Sequence, residues 1–274
     1  MLRKGLVTAC IGVIALLAIP SVALATTQSA SAGNVSASFS FQGSGITYTQ
    51  LHLTIMRGGQ ALYNGAVRSS FCASPYCIPL GTGPHQSSVH VVELQPGEPS
   101  VVLDLFTGGA HCCEVEQVYS FDAGTMSYVK TERNFGNAGD VLKDLGHNGR
   151  FEFVGADDAF FYAFTSYAAS GAPIQIWSFR VNRFVNVTRQ YPSQIKHDAA
   201  IWWRLFTKHY SDGEGLIAAW AADEDLLGQA GLVKSRLATE ARQNHLRGGP
   251  SGMPSGQKFV SALQKFLRKF GYVH

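Results

Sequence analysis

The chain has 274 residues, of which 46% are hydrophobic, and its formal net charge is +3. A charge this close to zero argues against a protein that binds nucleic acid or another polyanion through a general positive surface. A chain of this length can bury a substantial core, either as one large domain or as two small ones.

The first 25 residues have the pattern of a secretory signal peptide. Arg3 and Lys4 precede an apolar run over residues 6–24, which ends in small residues up to Ala25. A basic start, an apolar middle and small residues before the cleavage site are typical of such signals. We expect cleavage after Ala25, with an uncleaved membrane anchor as the alternative, and a secreted or cell-envelope protein, periplasmic or extracellular. Cleavage changes 22 basic residues to 20 against 19 acidic ones, a net charge of +1.

Residues 26–37 are small and polar, which predicts a flexible leader. Four cysteines follow the predicted signal: Cys72, Cys77, Cys112 and Cys113. An even number of cysteines in an exported protein is typical of disulfides. Because a bond between the neighbours Cys112 and Cys113 requires a strained small ring, we expect two bonds that tie the Cys72–Cys77 loop to the Cys112–Cys113 strand end.

Residues 38–191 have the pattern of a β-rich domain with an internal repeat. Two turns, ending in Gly97 and Gly149, each precede an apolar strand. The likeness continues in a pair of downstream strands in each copy, 118–121 with 128–130 and 176–179 with 184–186. A period of about 50 residues with several short strands per unit suggests propeller blades or stacked sheet modules.

The second turn resembles a known family. Asp144-Leu145-Gly146-His147-Asn148-Gly149, followed by an apolar strand, resembles the FG-GAP/VCBS-type repeat of integrin-like β-propellers and many exported bacterial proteins. That family usually has Asp-x-Asp-Gly-Asp-Gly at this place. The resemblance implies a propeller-like arrangement and a loop that binds Ca²⁺ through alternating oxygen ligands.

Matched residue by residue, Asp144 and Asn148 keep oxygen side chains, whereas Gly146 stands at the middle ligand position. The alternative is a plain turn, in which Asp144 caps its own backbone and Asn148-Gly149 forms the bend. The two copies and an N-terminal hairpin amount to about three sheet units, whereas a closed propeller needs about four. We therefore predict an α+β protein with propeller-like or stacked antiparallel sheets, followed by a helical C-terminal part.

The helical part covers residues 192–274. Apolar spacing predicts four helices, over 193–210, 214–229, 232–246 and 257–270. Asp212 is the expected N-cap of the second helix, and the glycines and prolines of 247–256 indicate a linker. The last helix has basic residues around an apolar side. We interpret it as a helix that packs on the domain, with peripheral contact to an anionic membrane surface as the alternative.

One candidate site surrounds the paired cysteines. His111 and Glu114 flank Cys112 and Cys113, and imidazole, thiolate and carboxylate together suit Zn²⁺. Oxidised cysteines cannot ligate a metal, however, so export argues against this interpretation. A second interpretation makes His111 a general base, and a third makes the stretch a disulfide-pinned turn, which we favour.

A second candidate site follows the second repeat turn. Asp157 and Asp158 precede a run of aromatic residues that includes Phe160, Tyr162 and Tyr167. Adjacent residues on a strand face opposite sides, so the two aspartates are poorly placed as an acid/base pair. The aromatic residues are expected either in the core or along a groove for a sugar or peptide. In the repeat alignment this loop corresponds to the loop of His111, so both are expected on one rim.

These features predict an exported, disulfide-stabilised binding or scaffolding protein rather than an enzyme, with a protein, peptide or glycan ligand and no nucleic acid. The predicted ligand contacts are His111, Glu114, Asp157, Asp158, Phe160, Tyr162 and Tyr167. No cofactor is expected, except Ca²⁺ at Asp144 and Asn148. The alternatives are a secreted hydrolase that uses His111 with Asp157 or Asp158, and a Ca²⁺-stabilised adhesion module.

Overall fold

The computed structural model describes residues 25–72, 77–83, 85–248 and 252–273. The predicted signal peptide, apart from Ala25, lies outside the described residues. In the described part, three antiparallel sheets follow one another along the chain and are followed by four helices. The predicted α+β class is confirmed, and the described sheets do not close into a propeller.

The first sheet is a meander whose strands pair in chain order. Its members are β1 (Thr26–Ala32), β2 (Val35–Ser44), β3 (Thr47–Arg57) and β4 (Gln60–Ala66). Buried and more exposed residues alternate along β2 from Val35 to Phe41, because only one face of this sheet meets the core.

The second sheet lies at the centre of the β-rich part. Its strands are β5 (Ile78–Pro79), β6 (Val89–Gln95), β7 (Glu98–Gly109), β8 (Cys112–Asp122) and β9 (Ser127–Gly136). β7 pairs with β5, β6 and β8, and β8 also pairs with β9. The long β7–β8 hairpin is therefore the frame of this sheet.

The third sheet and the helices complete the chain. The sheet contains β10 (Asp140–Lys143), β11 (Glu152–Ala156), β12 (Ile174–Arg180) and β13 (Arg183–Asn186), paired in that order. The helices are α1 (Pro192–Lys208), α2 (Glu214–Leu226), α3 (Ala230–Arg242) and α4 (Gly256–Lys269). No helix in the described part of the chain is long and apolar enough to cross a membrane.

Both faces of the second sheet are covered. Leu103 and Val115 on one face join the core shared with the first sheet. Val102 and Val118 on the other face pack with Phe153 of the third sheet. Successive side chains of a strand point to opposite faces, so β7 contributes to two cores at once.

The predicted flexible leader is wrong, because residues 26–32 form β1. Their backbone groups pair with β2 from Thr26 opposite Phe41 to Ala32 opposite Val35. The Gln28 amide also donates to Gly81 O (2.9 Å) and accepts from Ser88 N (2.8 Å). Small polar residues suffice here because backbone pairing, more than side-chain burial, holds this edge strand.

The predicted disulfide crosslink is also wrong. Cys72 bonds to Cys77 and Cys112 bonds to Cys113, so each bond is local. The Cα atoms of Cys72 and Cys77 are 5.5 Å apart, in the usual range for a disulfide. Each cysteine therefore pairs within its own segment, and neither disulfide joins the Cys72–Cys77 loop to the Cys112–Cys113 strand end.

The helices begin within a residue or two of the predicted positions, and the caps differ. Asp212 lies in a short 3₁₀ turn, Tyr210–Asp212, and Gly213 precedes α2 without a side-chain cap. In the predicted linker, 247–248 and 252–255 form neither helix nor strand, and the intervening residues lie outside the described part. The apolar side of α4 packs into the helical core through Phe259, Leu263 and Leu267.

Candidate functional site

The two loops that carry the candidate residues meet at one edge of the molecule. His111 lies at the tip of the β7–β8 hairpin, and its ring centroid is 4.8 Å from that of Tyr167. Tyr167, the last residue of the aromatic run, begins a short 3₁₀ turn. The two loops are therefore in side-chain contact, on one rim as their alignment in the repeat predicts.

Four rings form a connected cluster at this edge, which we call the aromatic rim: His111, Phe161, Tyr162 and Tyr167. Tyr167 is its centre, with ring centroids 5.0 Å from Phe161 and 5.5 Å from Tyr162. Tyr162 is 54% exposed. The rim therefore exposes the Tyr162 ring to solvent, and the Tyr167 ring packs against it.

The backbone of Tyr162 has an uncommon conformation. Its φ is +61°, in the left-handed region that bulky residues rarely adopt. The Tyr162 amide donates to Ser170 Oγ (3.1 Å), and Ser170 Oγ donates to Ser166 O (2.9 Å). Strained residues of this kind persist only where their surroundings hold them, and they cluster at functional sites.

Phe160 does not belong to the rim. It is 1% exposed and packs edge-on against Phe266 and Tyr272, with centroids 4.9 and 5.5 Å away. The expectation that Phe160 contacts a ligand is wrong, because its ring fills the core between the loop and α4.

The two aspartates make hydrogen bonds away from His111. Asp157 accepts from the Tyr272 hydroxyl (2.7 Å) and from Ala159 N (3.0 Å), while Asp158 accepts from Asn137 N (2.8 Å). Within the described part of the chain, neither carboxylate is hydrogen-bonded to His111. The dyad of the hydrolase alternative is not assembled in this structure.

The zinc interpretation of the His111 stretch is not supported, because both of its cysteines are in a disulfide. The Glu114 carboxylate lies with those of Glu116 and Asp140. The stretch is the disulfide-containing turn that we favour, with Cys113 N donating to Thr107 Oγ1 (2.7 Å).

The Asp144 turn lies between β10 and β11 and bonds to its own backbone. The two Asp144 carboxylate oxygens accept from Asn148 N (3.0 Å) and Gly149 N (2.8 Å). Asn148 Oδ1 accepts from Arg150 N (3.1 Å). These backbone donors lower the pKa of Asp144. The geometry is that of the plain turn, and Ca²⁺ at Asp144 and Asn148 stays a prediction.

A cluster of acids lies below the hairpin tip, on the face of the second sheet that meets the third. We call it the acidic cleft: His90, Asp104, Glu114, Glu116 and Asp140. In the register Asp104 stands opposite Glu116, and Glu114 is two residues from Glu116 on the same face. Carboxylate oxygens of Glu114, Glu116 and Asp140 all lie within 4.8 Å of one another.

The cleft borders a cavity with polar and apolar lining. This cavity of about 320 Å³ is lined by four members of the cleft and by apolar neighbours: His90, Val92, Asp104, Glu116, Asp140, Val141, Leu142 and Phe151. Glu116 is only 2% exposed. His90 Nε2 lies 2.8 Å from Asp104 Oδ2.

Burial and mutual repulsion perturb the acids of the cleft. Burial first, and then the charge of Asp104, raises the pKa of Glu114 to about 7. Burial also raises the pKa of Glu116 and Asp140 well above the usual range, with a further contribution from the neighbouring carboxylates. The bond to Asp104 raises the pKa of His90. The cleft therefore favours protons or another source of positive charge.

Sequence reasoning identified Glu114 and missed the other four members. The signal was present: Asp104 interrupts the run Val101-Val102-Leu103 and Leu105, and Glu116 lies between Val115 and Val118. Acids inside apolar strand patterns are expected to lie in a core or a site.

No protein-family model matches the chain, and no solved structure matches it. A probable thylakoid lumen protein of Synechocystis sp., sll0997, is 31% identical over 139 residues, which cover 48% of this chain and 40% of that protein. The uncharacterized protein y4bJ of Sinorhizobium fredii is 24% identical over 142 residues, which cover 48% of this chain and 22% of that protein. The chain thus spans less than half the length of these curated relatives, and the FG-GAP resemblance stays a prediction.

Proposed function

We propose that this chain is an exported binding or scaffolding protein whose ligand-contact surface is the aromatic rim. The observation that carries the proposal is the exposed ring of Tyr162, held in a left-handed backbone conformation beside the contact between His111 and Tyr167. Functional residues on loops held by a rigid scaffold are the usual arrangement of binding sites.

Export is supported by three independent features. The first 25 residues have the pattern of a signal peptide. The four cysteines of the following part pair as disulfides, which persist in oxidising compartments. A relative that matches about half of the chain is a probable thylakoid lumen protein, a compartment that proteins reach by crossing a membrane.

The expected ligand is a peptide or a glycan, because both place apolar faces against exposed tyrosine rings while hydrogen-bonding polar neighbours. The rim offers His111 as a polar ring, and the Tyr162 and Tyr167 side chains carry hydroxyl groups that can hydrogen-bond a ligand. Its centre, Tyr167, contacts the other three rings, which preorganises the surface and reduces the entropy lost on binding.

Saturation-transfer NMR against panels of oligosaccharides and short peptides tests the binding proposal. Ligands of the wild type should lose affinity about 10-fold or more in Tyr162→Ala and in His111→Ala, as expected for removal of a central aromatic contact. Phe71→Ala is the matched control, since it removes an exposed aromatic ring outside the rim.

Equal loss of binding in all three variants, or none in any, would contradict the assignment of the rim. Conversion of a ligand to product that depends on His111 would favour the hydrolase instead. Export has its own test: mass spectrometry of the protein from its native host should show Thr26 as the first residue and no free thiol.

A further inference from the structure

We propose that the acidic cleft binds one oxygen-preferring divalent cation, Ca²⁺, Mg²⁺ or Mn²⁺, through Glu114, Glu116 and Asp140. This site is separate from the aromatic rim and from the predicted Ca²⁺ loop at Asp144. It does not depend on the proposed binding function.

The geometry suits a single ion. Oxygen ligands of Ca²⁺ lie about 2.3–2.6 Å from the metal, so oxygens on opposite sides of one ion are roughly 5 Å apart. The three carboxylates bring their oxygens within 4.8 Å of one another. One cation placed among them can therefore touch all three.

The strongest observation is an orphaned oxygen. Glu116 is 2% exposed, and its Oε2 has no hydrogen-bond partner among the described residues. Asp140 Oδ1 is likewise buried without a partner in that part of the chain. A buried carboxylate without partners is costly, and a bound cation would supply the missing interaction for both oxygens.

The surroundings do not neutralise these charges by themselves. Arg133 stands opposite Glu116 in the register, but its guanidinium stacks on the Trp177 ring at 3.3 Å. In the described part of the chain, Arg133 makes no ion pair within 4.0 Å of a carboxylate. His90 bonds to Asp104 at 2.8 Å. The charge of Arg133 acts on Asp140 only without direct pairing, and it does not prevent the raised pKa of that carboxyl.

The donor set selects the class of metal. Three carboxylates are hard oxygen ligands, whereas Zn²⁺ sites rely mainly on nitrogen and sulfur. His90 is already bonded to Asp104 and the cysteines are disulfides. Asp140 lies in β10 and the two glutamates in β8, so the ion would join the second sheet to the third.

The test is isothermal titration calorimetry of the EDTA-treated full chain at about pH 7.5, since carboxylates bind a cation in their deprotonated form. The titrants are CaCl₂, MgCl₂ and MnCl₂. We expect one site for at least one of these ions, and an affinity about 10-fold or more lower in Glu116→Gln and in Asp140→Asn, since ligand charge tunes affinity. Asp122→Asn, at the opposite end of β8 from Glu114, is the control.

Thermal unfolding distinguishes a variant that no longer binds metal from one that no longer folds. Without metal, Glu116→Gln should be at least as stable as the wild type, because it replaces a buried carboxyl, which burial and neighbouring acids disfavour in its charged form, with a neutral amide. With metal, only the wild type and Asp122→Asn should gain stability. No binding of any of the three ions would overturn the proposal, as would binding that survives Glu116→Gln and disappears in Asp144→Asn.

Discussion

Tyr162 combines a strained backbone with an exposed ring. Strain of this kind costs on the order of 1–3 kcal/mol for a residue with a side chain, and glycine adopts the same conformation freely. Removing the ring also removes its contact with Tyr167. These two effects on folding oppose each other, while only the second one affects a ligand.

We predict that Tyr162→Gly changes the free energy of unfolding by less than about 1 kcal/mol, because relief of strain offsets the lost ring contact and the added flexibility of glycine. Urea denaturation measures this value. Binding of any rim ligand should still fall as in Tyr162→Ala. A large loss of stability would mean that the ring is mainly structural.

The acids of the cleft predict a pH dependence of stability. The pKa of Glu114 rises from an ordinary 4.5 to about 7, first through burial and then through Asp104. A carboxyl with a raised folded-state pKa stabilises the fold below its unfolded pKa, and this contribution is lost as pH rises through the folded value. Metal-free protein should therefore lose stability between about pH 4.5 and 7.

The other titratable groups of the acidic cleft change the pH dependence of stability in the same direction as Glu114. Arg133 opposes this change at Asp140. Glu116 and Asp140 have raised pKa values, and so does His90 through Asp104. A histidine with a raised folded-state pKa also loses its contribution as pH increases. Arg133 supplies opposite charge near Asp140.

Denaturant titrations of EDTA-treated protein across this pH range should show a shallower decline in Glu114→Gln than in the wild type. Asp122→Asn should follow the wild type. A flat profile in the wild type would contradict the raised pKa of Glu114.

At the residue scale, the sequence predicted the rim better than the cleft. His111 and Tyr167 lie in loops that the repeat alignment already made equivalent, and they are in contact. Asp104, Glu116 and Asp140 come from three separate strands. Strand pairing and register bring them together, and neither is visible in a single sequence.

At the scale of elements, β1 shows how a small polar segment becomes ordered. Gln28 joins it to the segment before β6 by two hydrogen bonds, to Gly81 O and from Ser88 N. Both partners are backbone groups, and an unmade hydrogen bond in a buried place costs about 1–3 kcal/mol.

We predict that Gln28→Ala lowers the free energy of unfolding by about 1–2 kcal/mol, since it leaves two backbone groups without partners. Ser29→Ala, at an exposed neighbouring position, should change it by less than about 0.5 kcal/mol. Chemical denaturation compares the two. Equal stability of both variants would mean that β1 contributes through its backbone alone.

Helix starts were predictable because apolar periodicity marks them, whereas the cap of α2 was not. Glu214 explains the difference: it is buried and accepts from Gly248 N, in the segment between α3 and α4 (2.6 Å). A tertiary contact therefore fixes the start of this helix. The predicted disulfide pairing was wrong for the opposite reason: it assumed long-range bonds, whereas each cysteine pairs with a near neighbour in sequence.

At the scale of the whole molecule, the end of the helical part is bonded to the third sheet and its neighbouring loops. Arg189 donates to the carbonyl oxygens of Leu226, Gly271 and Tyr272. The Tyr272 hydroxyl donates to Asp157 at 2.7 Å, and Tyr272 is only 4% exposed. The loop that leads into the aromatic rim is thus hydrogen-bonded, through Asp157, to Tyr272 in the segment after α4.

Tyr272→Phe should lower the free energy of unfolding by about 1–3 kcal/mol, since it leaves a carboxylate oxygen of Asp157 without its donor. The control is Tyr210→Phe, because the Tyr210 hydroxyl has no hydrogen bond in the described part of the chain. Thermal unfolding of both variants gives the comparison. If both fall equally, the Tyr272–Asp157 bond carries no particular weight.

The double burial of the second sheet also determines which substitutions the chain tolerates. Val101, Val102 and Leu103 are each 0% exposed, although they alternate between two faces. In β2, by contrast, every second residue from Val35 to Phe41 is buried. A library of all single substitutions should therefore show three consecutive intolerant positions in β7 and an every-other-residue pattern in β2. We expect tolerated substitutions to fall mainly in the outer sheets and the loops, and few of them in the buried middle of β7.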